Sequence, residues 1–226
     1  MSVTLAIIGG TSLLFSSLPE LSTRSVATPY GPVEVLAGDI VLLMRHQEGR
    51  PPHRINFRAN MAALAISGVD EVIAFGSAGS LKQEIKPGSL VIPTDYVSMT
   101  EIPSVHDHAI THVCPEVSGA LAHDLAKVIP EARFGGVYVQ TRGPRIETVA
   151  EVSALAKVAD LVGMTLASEA TLACELGIAF AALCTVDNYA HGLGGKVLTY
   201  EHILESSKTH RHRTEECLQR IIGTFG

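Results

Sequence analysis

The feature that most constrains this chain is a succession of short apolar runs, most of them closing on glycines or on polar residues of chemical interest, with helix-like segments between them. Leu5 to Ile8 ends at Gly9-Gly10-Thr11-Ser12, Ile40 to Met44 delivers Arg45 and His46, and Glu71 to Phe75 runs into Gly76-Ser77-Ala78-Gly79-Ser80. Leu90 to Val97, Gly136 to Gln140, Leu161 to Thr165 and Ala179 to Val186 read as further strands. Helical spacing covers Asn56 to Ser67, which closes at Gly68, then Gly119 to Ile129, Thr148 to Ala159, and one amphipathic stretch from about Tyr200 to Ile222. Apolar strands alternating with helices imply an α/β fold whose sheet is covered on both faces.

At 226 residues, with no internal repeat, low-complexity tract or linker, the sequence predicts a single domain over 1–226. Apolar residues make up 46% against 18% charged, more apolar surface than one sheet needs to bury, so we expect an oligomer. No apolar run approaches the ~20 residues of a membrane span, and the start has no basic segment, which predicts a cytoplasmic protein without membrane contact. A net charge of −6 without a basic stripe argues against nucleic acid and for a small-molecule partner. Cys114, Cys174, Cys184 and Cys217 form no C-x-x-C pair and are expected to be packing thiols. His106, His108 and His112 lie in an irregular segment, a candidate lid or subunit contact; no carboxylate or cysteine completes a zinc set around them, so no metal is expected.

Several strand ends carry groups suited to an anion. Gly9-Gly10-Thr11-Ser12 lets backbone N–H groups approach closely while hydroxyls donate, although Gly-Gly after a strand is also plain turn chemistry. Arg45-His46 sets a guanidinium fork beside an imidazole. Thr141-Arg142-Gly143-Pro144-Arg145-Ile146-Glu147-Thr148 is a second unusual loop between a strand and a helix, where Glu147 could simply complement the helix dipole.

Read with Gly163-Met164-Thr165 and Asp187-Asn188-Tyr189-Ala190, these pieces resemble the purine nucleoside phosphorylase and methylthioadenosine phosphorylase family over residues 5 to about 205. Ala6-Ile7-Ile8-Gly9-Gly10-Thr11, Pro52-His53-Arg54-Ile55-Asn56-Phe57-Arg58-Ala59-Asn60 and Gly143-Pro144-Arg145-Ile146-Glu147-Thr148 carry the resemblance. It implies a mixed, partly barrel-like central sheet flanked by helices, a homotrimer or dimer of trimers, and inorganic phosphate as co-substrate with no cofactor. Carried over position by position, it places Thr11, Arg45, His46, Ser77 and Thr165 around phosphate and Met164 under the ribose. It sets Ala78, Gly79, Ile146, Glu147 and Asn188 around the base, with Glu147, Asn188 and His46 as the catalytic groups. Tyr200, Leu204 and a neighbouring subunit's His106 would close the 5′ end. The chain departs from the family pattern at Ser12, Gly76 and Ser168, and Ile146 stands where an aromatic ring is common.

A carboxylate at 147 and an amide at 188 match a 6-oxopurine, which offers N1–H as donor and O6 as acceptor. The expected activity is therefore phosphorolysis of inosine, guanosine or 5′-methylthioinosine. The alternatives are an adenine-specific methylthioadenosine phosphorylase, whose base site typically has aspartates at the positions of Asn188 and Ala190, and a non-catalytic nucleoside-binding paralogue, motivated by Gly76 and Ser168.

Overall fold

The computed structural model describes residues 4–18, 20–195 and 199–226. Among them, eleven strands form one mixed sheet. The strands are β1 (Leu5–Gly9), β2 (Ser22–Val26), β3 (Val33–Ala37), β4 (Val41–Met44), β5 (Glu71–Ser80), β6 (Leu90–Ile92), β7 (Asp95–Ser98), β8 (Arg133–Phe134), β9 (Val137–Gln140), β10 (Leu161–Gly163) and β11 (Ala179–Tyr189). The helices are α1 (Phe57–Ile66), α2 (Gly119–Val128), α3 (Val149–Leu155), α4 (Leu166–Glu175), α5 (Tyr200–Thr209) and α6 (Arg211–Phe225).

β5 is the hub. Its first half pairs in parallel with β1, β11 follows it in parallel along its whole length, and at Gly79 and Ser80 it pairs antiparallel with β10. From there the sheet continues through β9 to β7 on one path, and through β11 and β6 to β8 on the other. Because β6 and β7, like β8 and β9, are close neighbours in sequence, the two paths meet and the sheet curls into a partly closed barrel. Two large apolar clusters occupy its sides: one between β1, β5, β11, α1 and α4, the other beneath α2 and α6.

Local chemistry sets the helix ends. Asn56 caps α1 by accepting from the N–H of Ala59, Ser118 caps α2, and Thr148 with Glu151 forms a reciprocal capping box on α3. Gly68 follows α1 at φ +75°, a conformation that favours glycine.

Four sequence expectations need correction. Residues 76–80, placed after the expected strand Glu71 to Phe75, are the second half of β5; glycines at 76 and 79 keep the strand slim enough for Leu166, Cys184 and Asn188 to crowd against it. The expected strand Leu90 to Val97 breaks into β6 and β7 at Pro93, which has no N–H for a ladder. The expected terminal helix is two helices meeting at His210: the Ser207 hydroxyl ties α5 to the carbonyl of Thr11, whereas α6 buries Cys217, Leu218 and Ile221. The β2–β3 hairpin and helix α4 were not anticipated: β2 is exposed on nearly all its residues, and α4 is apolar around most of its surface, so neither shows a clean period. The four cysteines are free, with Cys184 and Cys217 buried.

Gly163 ends β10 directly against the hydroxyl of the fully enclosed Tyr138, which accepts from the Thr165 N–H. We predict that Gly163→Ala, whose methyl would collide with that phenol, lowers unfolding free energy by about 1–3 kcal/mol in urea titration. An unchanged midpoint would show that Tyr138 can move aside.

Candidate active site

The carboxyl ends of the parallel strands β1, β4, β5 and β11 lie on one side of the sheet, where open α/β architectures bind ligands, and β10, antiparallel to β5, runs back along its second half with β9 beside it. At the centre is Arg45, 3% exposed. Its Nε donates to Glu169 Oε1 at 2.6 Å, its Nη2 to Oε2 at 3.1 Å, and its Nη1 to the Phe75 carbonyl at 2.8 Å. Its backbone is fixed as well, its N–H donating to Gly9 and its carbonyl accepting from the Asn60 amide. A side chain at Gly10 would collide with Nη1, so the glycine is what lets the Gly9-Gly10-Thr11 turn close over the guanidinium. The fork thus grips Glu169 rather than standing free for a ligand. What Arg45 still offers is the second N–H of each terminal nitrogen.

Glu169 sits in the first turn of α4, where the helix dipole favours a carboxylate. Its burial pushes its pKa up, and the Arg45 guanidinium pulls against that rise. Neither residue's partner is near in sequence, and Glu169 had not been singled out from the sequence; a Glu in the first turn of a largely buried helix is the signal that marks it. The departure at Ser168 is accommodated too. The Gln140 amide donates to the Ser168 hydroxyl at 2.7 Å and accepts from its N–H at 3.0 Å, a bond proline could not make. At Gly76, the space a side chain would need is filled by Leu166 and Cys184.

Thr11, Ser77 and Thr165 bring hydroxyls to the same strand ends. Thr165 precedes α4 without using its side chain to cap the helix, leaving that hydroxyl for a ligand. Ser77 donates to Asp187 Oδ2. His46 is half-buried, and its Nδ1 lies 2.8 Å from the Arg50 carbonyl, so Nδ1 carries the proton and Nε2 is the free nitrogen. Burial lowers its pKa, assisted by Arg45 and opposed by the Arg50 contact, which favours a neutral ring.

The remaining expected site residues lie on β5, β11 and the loop after β9. Gly79 leaves room for the Asn188 amide, one of whose N–H groups donates to the Tyr189 carbonyl at 2.8 Å. Glu147 is buried just before the cap of α3, where its Oε1 accepts from the Thr141 hydroxyl at 2.5 Å while its carbonyl meets His191. It is held outside the helix, so a role in the first turn does not account for it. Gly143, at φ +64°, lies against the Met164 sulfur and fixes the 141–147 loop on that side chain. Ala78 is buried in β5 beside Val186, and Ile146 is half-buried next to Glu147. A cavity of about 390 Å³ opens beside Met164, Thr141 and Gln140, with His53 and Thr100 across from them. His53 had been read only as part of a motif, yet its buried Nδ1 has no hydrogen-bond partner.

Three further residues had been expected at a 5′ end. Tyr200 stands 61% exposed at the start of α5, Leu204 is half-buried one turn on, and His106 sits in the 99–117 segment, bonded through its N–H to Ser104.

Residues 4–223 match the model of the phosphorylase superfamily. The chain belongs to this superfamily. It is 40% identical to a probable 6-oxopurine nucleoside phosphorylase of Archaeoglobus fulgidus, over 96% of this chain and 93% of that one. It is 36% identical to the 6-oxopurine nucleoside phosphorylase of Pyrococcus furiosus, covering 98% and 91%. It is 35% identical to a probable S-methyl-5′-thioinosine phosphorylase of Methanocaldococcus jannaschii, covering 96% and 91%. Methylthioadenosine phosphorylase from Schistosoma mansoni, solved with adenine, shares the fold with a TM-score of 0.87 at 22% identity, over 98% of this chain and 91% of that one. The superfamily fold, a mixed sheet flanked by helices, is the one its sequence led us to expect.

Glu169→Ala would leave the Arg45 guanidinium buried without its counterion. We predict a loss of about 3–5 kcal/mol in urea unfolding, together with weaker phosphate binding. A change within about 0.5 kcal/mol would show that the pair does not fix Arg45.

Proposed function

We propose that the protein catalyses phosphorolysis of 6-oxopurine nucleosides, namely inosine, guanosine or 5′-methylthioinosine, releasing the free base and the pentose 1-phosphate. The observation that carries this reading is a buried carboxylate, Glu147, in the loop between β9 and α3, whose carbonyl meets His191 just past β11, together with an amide, Asn188, near the end of β11. It is supported by relatives named for 6-oxopurine nucleosides and methylthioinosine.

Phosphate is held by the remaining N–H groups of Arg45 and the hydroxyls of Thr11, Ser77 and Thr165. His46, neutral with Nε2 free, accepts from a phosphate P–OH and so turns an unprotonated oxygen toward C1′. As the glycosidic bond breaks, the sugar gains oxocarbenium character and the purine takes the bonding electrons. Asn188 answers that charge: its second N–H donates to O6, and its Oδ1 accepts from N7–H once the leaving purine anion has taken a proton from solvent at N7. Glu147 accepts from N1–H with the oxygen not bonded to Thr141. Met164 packs under the ribose, and Ala78, Gly79 and Ile146 line the base. Tyr200 and Leu204 close the 5′ end with His106 of a neighbouring subunit, in a homotrimer or dimer of trimers.

Adenine reverses the hydrogen-bonding edge, placing its N1 lone pair against the Glu147 carboxylate, a buried mismatch worth about 1–3 kcal/mol. We predict that kcat/KM for inosine or methylthioinosine exceeds that for the matching 6-amino nucleoside at least ~10-fold. Asn188→Asp should lose oxopurine activity and narrow the gap. Faster cleavage of adenosine or methylthioadenosine by the wild type would replace this reading with the adenine-specific one.

A further inference from the structure

Asp187 has no part in the reaction described above, yet it is 7% exposed and lies beside Asn188. It is the extra residue of a β-bulge: β11 pairs Val186 with Ala78 and Asn188 with Gly79, and Asp187 has no partner on β5. The bulge turns its carboxylate onto the Ser77 hydroxyl, which donates to it. A hydroxyl has one proton. While it is given to Asp187, Ser77 presents only lone pairs to an incoming phosphate.

The charge balance sharpens the conflict. The guanidinium at the centre of the pocket is already neutralised by Glu169. The other charged or titratable groups facing Asp187 are Arg213 of α6 and the Cys184 thiol of its own strand. β5 presents only Ser77, and Thr185 adds a hydroxyl. His210, at the α5–α6 junction, feels Arg213. Among the described residues Arg213 makes no hydrogen bond to the carboxylate, and its Nε and Nη2 are buried without a partner. An ionised Asp187 would therefore meet the phosphate across a single serine, its charge offset by Arg213 only without a hydrogen bond.

We infer that Asp187 takes up a proton from solvent when phosphate binds, donates it to Ser77 Oγ, and thereby turns the Ser77 hydroxyl to the phosphate. Asp187 is then a positioning residue acting through Ser77, and the inference rests on the reading of Ser77 as a phosphate ligand. Its surroundings suit the task, because burial raises the carboxyl to about 6 against the pull of Ser77, Thr185 and Arg213. The sign follows: the protonated form binds, so anion affinity falls as pH rises through and above that value.

Calorimetry with inorganic sulfate, a dianion that does not itself titrate near neutrality, tests this in two buffers of different ionisation enthalpy. At about pH 7.5 we expect the wild type to take up close to one proton more than Asp187→Asn, whose amide copies the protonated acid by donating to Ser77 Oγ. With inorganic phosphate, the ratio of wild-type to Asp187→Asn Kd should rise at least ~10-fold between about pH 6 and about pH 8. Equal proton uptake and parallel pH profiles would overturn the inference while leaving Ser77 a ligand. Ser77→Ala should bind sulfate more weakly and lose the same proton, a result obtainable even if the Asp187 variant does not fold. Sulfate binding by Ser77→Ala equal to wild type would overturn both the inference and the reading of Ser77.

Discussion

The buried pair of Arg45 and Glu169 is the interaction on which the rest of the site depends. Its own stabilising worth is modest, because removing two charges from water offsets most of their attraction. What it supplies is position. With both oxygens of Glu169 and the Phe75 carbonyl occupying three of its N–H groups, the guanidinium cannot turn, and the glycine turn after β1 packs onto it. Four elements are thereby locked together: β1 through Gly9 and Gly10, β4 through Arg45, β5 through Phe75, and α4 through Glu169. On the proposed reading, a phosphate entering this pocket would meet N–H groups already fixed in direction, which is where electrostatic preorganisation gains over a mobile surface cation.

The same arrangement shapes the protonation of the site. A guanidinium neutralised by its own carboxylate attracts an anion through oriented N–H groups more than through net charge. Neutral His46, with its free nitrogen fixed by the Arg50 carbonyl, then suits a protonated phosphate oxygen. Asp187 and Ser77 add a second place where a proton decides which oxygen donates.

Much of this was legible in the sequence because strand ends punctuated by Gly, Arg-His or hydroxyl residues are local signals. Arg45 and Thr165 fall just past strand ends, where such punctuation puts them, whereas Asn188 lies inside β11, which runs on to Tyr189 beyond the expected end at Val186; the α/β class follows from the alternation of apolar runs with helices. Residues whose meaning depends on distant partners were not legible. Glu169 acquires its role from Arg45, 124 positions away, and Asp187 from Ser77, 110 positions away. The strand through Gly76 to Ser80 was hidden for a related reason: its glycines look like a turn until Leu166, Cys184 and Asn188 occupy the space their side chains would take.

The central claim is that the Arg45 pocket delivers phosphate, and not water, to the sugar carbon. Phosphorus-31 spectroscopy of the enzyme turning over inosine in orthophosphate tests it most directly. The account predicts a pentose 1-phosphate resonance that grows in step with released hypoxanthine, one for one. Hypoxanthine released while the orthophosphate signal stays constant would contradict it and make the protein a hydrolase.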